Sequence, residues 1–115
     1  MNKIVASTRE AVADIFDGAV IMIGGFGGAG RPQRLIEALL EQGAKDLTCV
    51  ANAPMNFEAL IEKRRVKKAI VTFPVWPSPL RRNPFEEQYN KGEIELELVP
   101  QGTMAERIRA GGAGI

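Results

Sequence analysis

Three features of this 115-residue chain predict an α/β fold, a mostly parallel sheet of at least four strands with flanking helices. Four short runs rich in branched apolar residues recur at intervals of roughly 25 residues, at 19–23, 47–51, 69–73 and 94–98. Segments with helical patterning lie between them, which is the spacing of right-handed βαβ units. A run of glycines joins the first apolar run to the helical segment after it.

Ser7 with Glu10 three residues later forms a capping box. The helix it opens should bury Ala11, Val12, Ile15 and Phe16 on one face, until Asp17-Gly18 ends it. A second helix opens at Pro32, whose fixed φ suits the first helical position, and runs through Leu35, Ile36, Leu39 and Leu40 to a C-cap at Gly43. Its apolar stripe should lie on the sheet. A third helix, near 57–63, presents Phe57, Leu60 and Ile61 to the core and leaves Glu58 and Glu62 to water. The basic residues Lys63, Arg64, Arg65, Lys67 and Lys68 read as the solvated end of that helix, complementing its dipole, with phosphate binding the weaker alternative.

Residues 74–84 hold Pro74, Pro77, Pro79 and Pro84 together with Trp76, Arg81 and Arg82, so they read as an exposed loop long enough to be functional. Glu86 and Glu87 head a further helix. The run 94–98 alternates strictly, which gives it one buried face, one wet face and a place near the sheet edge. Thr103 and Glu106 form a second capping box, opening a helix that reaches about Ala110. The glycines at 111, 112 and 114 then read as a loop leading into another element, so the domain is expected to be truncated.

Composition narrows the function classes. With 15 Lys and Arg against 14 Asp and Glu, the net charge of +1 gives no electrostatic case for nucleic acid or an acidic membrane as a partner. No stretch reaches the roughly 18 apolar residues of a membrane helix. The opening segment, with Glu10 and Asp14, lacks a signal peptide's charge layout, so a cytoplasmic protein is expected. The single cysteine, Cys49, lies in an apolar run and reads as a buried structural thiol. The absence of histidine removes His-based acid/base chemistry and His metal sites, and no metal site is expected.

The loop of Gly24, Gly25, Phe26, Gly27, Gly28, Ala29 and Gly30 carries the chemistry. Glycines let the backbone turn tightly and approach a ligand, and the helix start behind them offers N–H groups to anionic or carbonyl oxygens. A generic anion or phosphate site is the first hypothesis. Gly25-x-Gly27-x-x-Gly30 also matches the dinucleotide fingerprint, but the next strand should then end in Asp or Glu, and 47–53 offers only Asn52. Arg31-Pro32 stands where a P-loop needs Lys-Ser/Thr. A tight turn without a ligand needs fewer glycines.

From Asp17-Gly18 through Ile21-Met22-Ile23-Gly24-Gly25-Phe26 to Gly30 and Pro32, the segment resembles the signature of the A (alpha) subunits of family I coenzyme A transferases. The helix Leu35-Ile36-Glu37-Ala38-Leu39, the Ala51-Asn52-Ala53 stretch and the long stretch 95–114 are similar to that family too. Together they cover almost the whole chain.

The resemblance implies that residues 1–115 are the amino-terminal part of an alpha-type domain, of the parallel NagB/RpiA-like type, partnered by a B (beta) subunit in a hetero- or homo-oligomer. It implies transfer of coenzyme A between short-chain carboxylic or 3-oxo acids by a ping-pong route. A glutamate attacks the acyl thioester and becomes a glutamyl thioester, and that nucleophile is expected on the B subunit, so no catalytic residue is expected here. Glu86, Glu87, Glu95 and Glu97 are better explained as surface charge. Coenzyme A and acyl-CoA are implied as substrates, with no permanently bound cofactor.

By position, the seven loop residues Gly24 to Gly30 resemble the family's coenzyme A-binding loop, and Asn52 and Gln101 its substrate-facing amides, with capping of the following turn the alternative for Gln101. Three departures stand out. Ala51-Asn52 replaces two adjacent asparagines, the proline and arginine loop differs from the family's plainer segment, and alpha subunits of the family are much longer than this chain. A non-catalytic assembly module and a nucleotide-binding oxidoreductase domain are the alternatives.

Overall fold

A computed structural model describes residues 1–76 and 78–115, so that of the four loop prolines Pro77 lies outside the described residues. The apolar runs form strands β1 (Val20–Met22), β2 (Leu47–Ala51), β3 (Val66–Val71) and β4 (Glu95–Leu98). All three pairings are parallel, in the order β1-β2-β3-β4. The helices are α1 (Thr8–Ala11), α2 (Gln33–Gln42), α3 (Glu58–Glu62), α4 (Pro84–Asn90) and α5 (Gln101–Ala113), with a 3-10 turn at Pro54–Phe57.

Strands that follow one another across the sheet in a single direction, joined by right-handed crossovers, must carry α2, α3 and α4 on one face. Burial agrees. Leu47, Cys49 and Ala69 are fully buried, packed in one core with Ile36, Leu39, Phe57, Leu60 and Ile61. On the opposite face Thr48, Val50 and Ile70 are half-buried, and Val20 and Met22 of the edge strand β1 remain 70% and 61% exposed. Helix α5 returns over that face, burying Met104, whose sulfur lies 3.9 Å from the Thr72 hydroxyl.

Several expectations change. Half of the first capping box forms: Ser7 accepts from the Glu10 N–H at 3.1 Å, but the Glu10 carboxylate accepts from the Ala6 N–H at 2.9 Å, one residue ahead of the N-cap. Yet α1 ends at Ala11, so of its expected apolar face Val12 is buried while Phe16 is exposed. Helix α2 begins at Gln33 with Pro32 as its N-cap, and Gly43 closes it in the left-handed region at φ 95°. Ile36, Ala38 and Leu39 are its buried residues; Leu35 stays 40% exposed.

Strand β3 starts at Val66, ahead of the expected 69–73, and takes Lys67 and Lys68 out of the helix end to which they were ascribed. A register shift against Leu47/Thr48 turns Lys67 to solvent, while Lys68 pairs with Glu97 across β4. Glu58 and Glu62 do not simply face water, because Arg81 and Arg82 of the long loop bond to them. That loop is only partly exposed: Trp76 is buried, and Pro84 opens α4 behind an N-cap from Asn83.

The second capping box does not form. α5 begins at Gln101, ahead of Thr103, and continues through Gly111 and Gly112 to Ala113, where a loop was expected. Pro100 stops β4 at once, so Gln101 is already helical, and the Met104 N–H bonds to the Pro100 carbonyl at 2.9 Å.

Candidate functional site

The carboxyl ends of β1 and β2 and one stripe of α5 enclose a cleft of about 400 Å³. Gln101, Met104, Ala105 and Ile108 line it from α5 with helical spacing, facing Met22, Val50 and Gly24. Asn52 lines it from the end of β2. The Asn52 carbonyl accepts from the N–H groups of Thr72 and Phe73 at 3.1 and 3.0 Å, which fixes the backbone, while its side chain has no hydrogen-bond partner among the described residues. Gln101 is exposed at the mouth, and its side chain has no hydrogen-bond partner among the described residues. Both amides remain available to a ligand, each with donor and acceptor capacity.

Above the cleft the glycine loop folds into a miniature hairpin. Phe26 and Ala29 exchange both backbone bonds at 3.0 Å, with Gly27 and Gly28 as the two turn residues. Gly27 has φ 65° and Gly28 does not have a positive φ, the pattern of a type II′ turn. Phe26 is 62% exposed at this tip. Gly25 is the mechanically constrained position: its φ is 119°, and a Cβ there would sit 2.9 Å from Arg31 Cγ and 3.3 Å from both the Ala29 carbonyl and Asn56 Nδ2.

Two residues behind the loop hold it. Arg31 donates through Nη1 to the Met55 carbonyl at 3.1 Å, and Asn56 donates through Nδ2 to the Gly25 carbonyl at 2.9 Å. Asn56 is 1% exposed and its Oδ1 has no partner among the described residues. A buried unpaired acceptor of this kind costs about 1–3 kcal/mol. Beside these residues a second cleft, of about 370 Å³, is lined by Arg31, Glu58, Glu62 and Arg81. Its charges are largely internal, since Arg81 reaches both oxygens of Glu58 at 2.7 and 2.8 Å and Arg82 reaches Glu62 at 2.8 Å.

Residues 5–115 match the family described as Coenzyme A transferase. The chain belongs to that family.

Among curated relatives, this coenzyme A transferase chain is 45% identical to the A subunit of a 3-oxoadipate CoA-transferase of Pseudomonas putida, over 100% of this chain and 50% of that protein. It is 46% identical to the mitochondrial succinyl-CoA:3-ketoacid coenzyme A transferase 2 of Homo sapiens, over 98% of this chain and 22% of the human protein. A crystal structure of a variant of the decarboxylase AibA/AibB superposes with a TM-score of 0.77 at 26% identity, covering 96% of this chain and 44% of that one. The chain spans about half the length of the bacterial transferase subunits it matches.

The coenzyme A transferase fold thus brings Gly24, Asn52 and Gln101, far apart in sequence, to one cleft. Gly25 is drawn back against Arg31 and Asn56, Phe26 to Ala29 form the hairpin, and of the loop residues Gly24 lines the cleft. Sequence reasoning missed Asn56, which has no periodic or motif signal, and saw Arg31 only as the wrong residue for a P-loop. Asn56 stands between Met55 and Phe57 in a short apolar stretch, and only the third dimension shows its contact to Gly25.

Of the remaining expectations, Cys49 is fully buried and burial pushes its thiol up to about 12, the behaviour of an inert structural cysteine. Glu95 is exposed, and Glu97 is bound by Arg107 at 2.6 Å and Lys68 at 3.4 Å, contacts that hold its carboxyl below the usual range. Glu86 and Glu87 occupy the first turn of α4, as expected. Among the described residues no three His, Cys, Asp or Glu side chains cluster as metal ligands, and no helix is long and apolar enough to cross a membrane.

Proposed function

We propose that this chain supplies the coenzyme A loop and part of the carboxylate pocket of an enzyme moving coenzyme A between short-chain carboxylic or 3-oxo acids. The observation that carries the reading is the convergence of Gly24, Asn52 and Gln101 on one cleft at the carboxyl ends of β1 and β2. In open α/β sheets that is where ligands bind. The loop of Gly24, Gly25, Phe26, Gly27, Gly28, Ala29 and Gly30 borders the thioester ligand, and the Asn52 and Gln101 amides orient the acid. The relatives' names as A subunits support a beta-type partner for this chain too.

In this reading the partner's glutamate attacks the acyl-CoA carbonyl, and the tetrahedral intermediate expels coenzyme A thiolate to leave an acyl–glutamyl anhydride. The thiolate then attacks the glutamyl carbonyl, releasing the first acid as carboxylate and leaving a glutamyl–coenzyme A thioester. An incoming carboxylate runs the steps backwards. No proton is consumed, so the chain's task is to orient, to donate hydrogen bonds to developing oxyanions and to exclude water. The apolar lining from Met22, Val50, Met104 and Ile108 suits that last duty. Coenzyme A is substrate here, not a resident cofactor. The bacterial relatives support a cytoplasmic place for the enzyme; the human relative is mitochondrial by name.

A second reading is a module that seats a beta-type chain without catalysis. Mixing the purified chain with a beta-type partner and following thioester exchange between two acids separates the two. Exchange that needs both proteins supports the transferase; complex formation without exchange supports the module.

A further inference from the structure

We propose that Asn56 is the positioning residue of the glycine loop, setting the backbone of Gly24 and Gly25 against Asn52. The proposal rests on the reading of that loop as a coenzyme A site.

The geometry assigns the role stepwise. Asn56 Nδ2 lies 2.9 Å from the Gly25 carbonyl and 3.4 Å from the Gly24 carbonyl, so the amide orientation is fixed: only the nitrogen can face two acceptors. Oδ1 therefore turns away and is left buried without a partner among the described residues. An apolar residue of the same size would remove that unpaired acceptor. That residue would also strip the Gly24 and Gly25 carbonyls of their donor, so what the asparagine supplies here is its grip on those two carbonyls.

The grip has a directional consequence. In a trans peptide the carbonyl and the following N–H point opposite ways. Drawing the Gly24 carbonyl toward Asn56 turns the Gly25 N–H away from it, and that N–H has no backbone acceptor among the described residues. The next N–H, of Phe26, is already bonded to the Ala29 carbonyl. Asn56 thus presents one free backbone donor at the point where Gly24 borders the cleft.

The same turn binds the loop's other end, through Arg31 to the carbonyl of Met55. Met55 and Asn56 lie in the 3-10 turn Pro54–Phe57, which begins two residues after Asn52, and the Asn56 N–H bonds to the Ala53 carbonyl at 3.1 Å. The glycine loop and the substrate-facing amide are therefore two arms of one rigid corner. A substitution at Asn56 releases the first arm while leaving the second in place.

The experiment uses the whole chain, measuring amide exchange protection by NMR and coenzyme A affinity by calorimetry for the native protein, Asn56→Leu and Asn56→Asp. Asn56→Leu is expected to keep the protection of β2 and β3 while losing at least about tenfold at Phe26 and Ala29, with coenzyme A affinity falling by a similar factor. A buried aspartate facing two carbonyls can donate only when protonated, and burial raises its pKa, so Asn56→Asp should hold the loop at low pH and lose loop protection as pH rises through that raised value. A merely structural asparagine would lose protection across β2 and β3 as well as at the loop. Native loop protection in Asn56→Leu, or a uniform loss across β2 and β3 in both variants, overturns the proposal. If the native chain does not bind coenzyme A, the ligand reading fails, and the protection arms still decide the role of Asn56.

Discussion

Replacing Gly25 with alanine tests whether the glycine loop is a built shape or a slack connection. At φ 119° an L-residue is strained, at about 1–3 kcal/mol. The new Cβ also arrives 2.9 Å from Arg31 Cγ, a flexible side chain, and 3.3 Å from the Ala29 carbonyl and from Asn56 Nδ2, which are held by their own bonds. Overpacking of that kind adds about 1–3 kcal/mol. The sum is at least about 2 kcal/mol, or a fall of roughly 8 °C in Tm for a domain of this size.

Two neighbouring glycines supply internal controls. Gly27, at φ 65° with nothing within 4 Å of its Cβ position, should lose only the backbone part, about 1–2 kcal/mol. Gly28 has neither a positive φ nor a close neighbour, so Gly28→Ala should be neutral or stabilising by up to about 1 kcal/mol through the unfolded chain. Urea titration of the three variants at constant m value reads the order directly. Gly25→Ala and Gly28→Ala falling within about 0.5 kcal/mol of one another would refute the reasoning, because every contribution that separates them is local geometry.

Three further outcomes follow from other parts of the molecule. On the proposed function, Asn52→Ala and Gln101→Ala should each weaken binding of a carboxylate substrate roughly ten- to hundredfold without changing urea stability, since each would remove a hydrogen bond to a charged group from an amide with no other partner among the described residues; equal binding by calorimetry contradicts the pocket. Cys49, with its thiol pushed up to about 12, should resist a thiol reagent at pH 8 in the native chain and react on unfolding. Because its folded pKa is raised, its stabilisation is present below the ordinary thiol range and declines as pH rises from that range toward the folded value, which denaturation at pH 8 and pH 10 would reveal. Glu97 has the opposite sign: its carboxyl is held down by Arg107 and then Lys68, so its contribution to seating α5 is present above the ordinary carboxylate range and is lost as pH falls through its lowered value. A carboxyl NMR titration that places Glu97 at or above an ordinary glutamate contradicts that pairing.

The layered α/β order was legible in the sequence because it rests on periodicity, and periodicity is what burial imposes. The apolar runs at 47–51 and 94–98 had only one element type and one neighbourhood that could absorb them. Boundaries were less legible where tertiary contacts override local signals. The Lys67-Lys68 pair looked helical until a register shift and the Glu97 carboxylate placed it in β3. Thr103 looked like an N-cap, but Pro100 ends the strand so sharply that the helix has already begun. Gly111 and Gly112 carry no helix propensity of their own and are helical as a continuation of a segment held by Met104 and by the Arg107–Glu97 ion pair.

The candidate site was legible in its cleft-lining parts and opaque in its supports. A glycine run after a strand announces a backbone that must approach something, and free amides at the ends of β2 and β4 announce polar contacts. Asn56 and Arg31 announce nothing, since their roles consist of reaching a carbonyl 31 residues away in one case and 24 in the other. The loop at 74–84 shows the same limit: it read as an exposed loop, and the structure ties its arginines to Glu58, Glu62 and Glu87.

The most direct test of the central claim is reconstitution. The chain is combined with a beta-type partner, and transfer of coenzyme A from an acyl-CoA donor to a second carboxylate is followed with Asn52→Ala alongside. Transfer by the mixture is expected, with none by either protein alone and a strong reduction in the variant. Transfer by the isolated chain, or full activity of the mixture with Asn52→Ala, would contradict that claim.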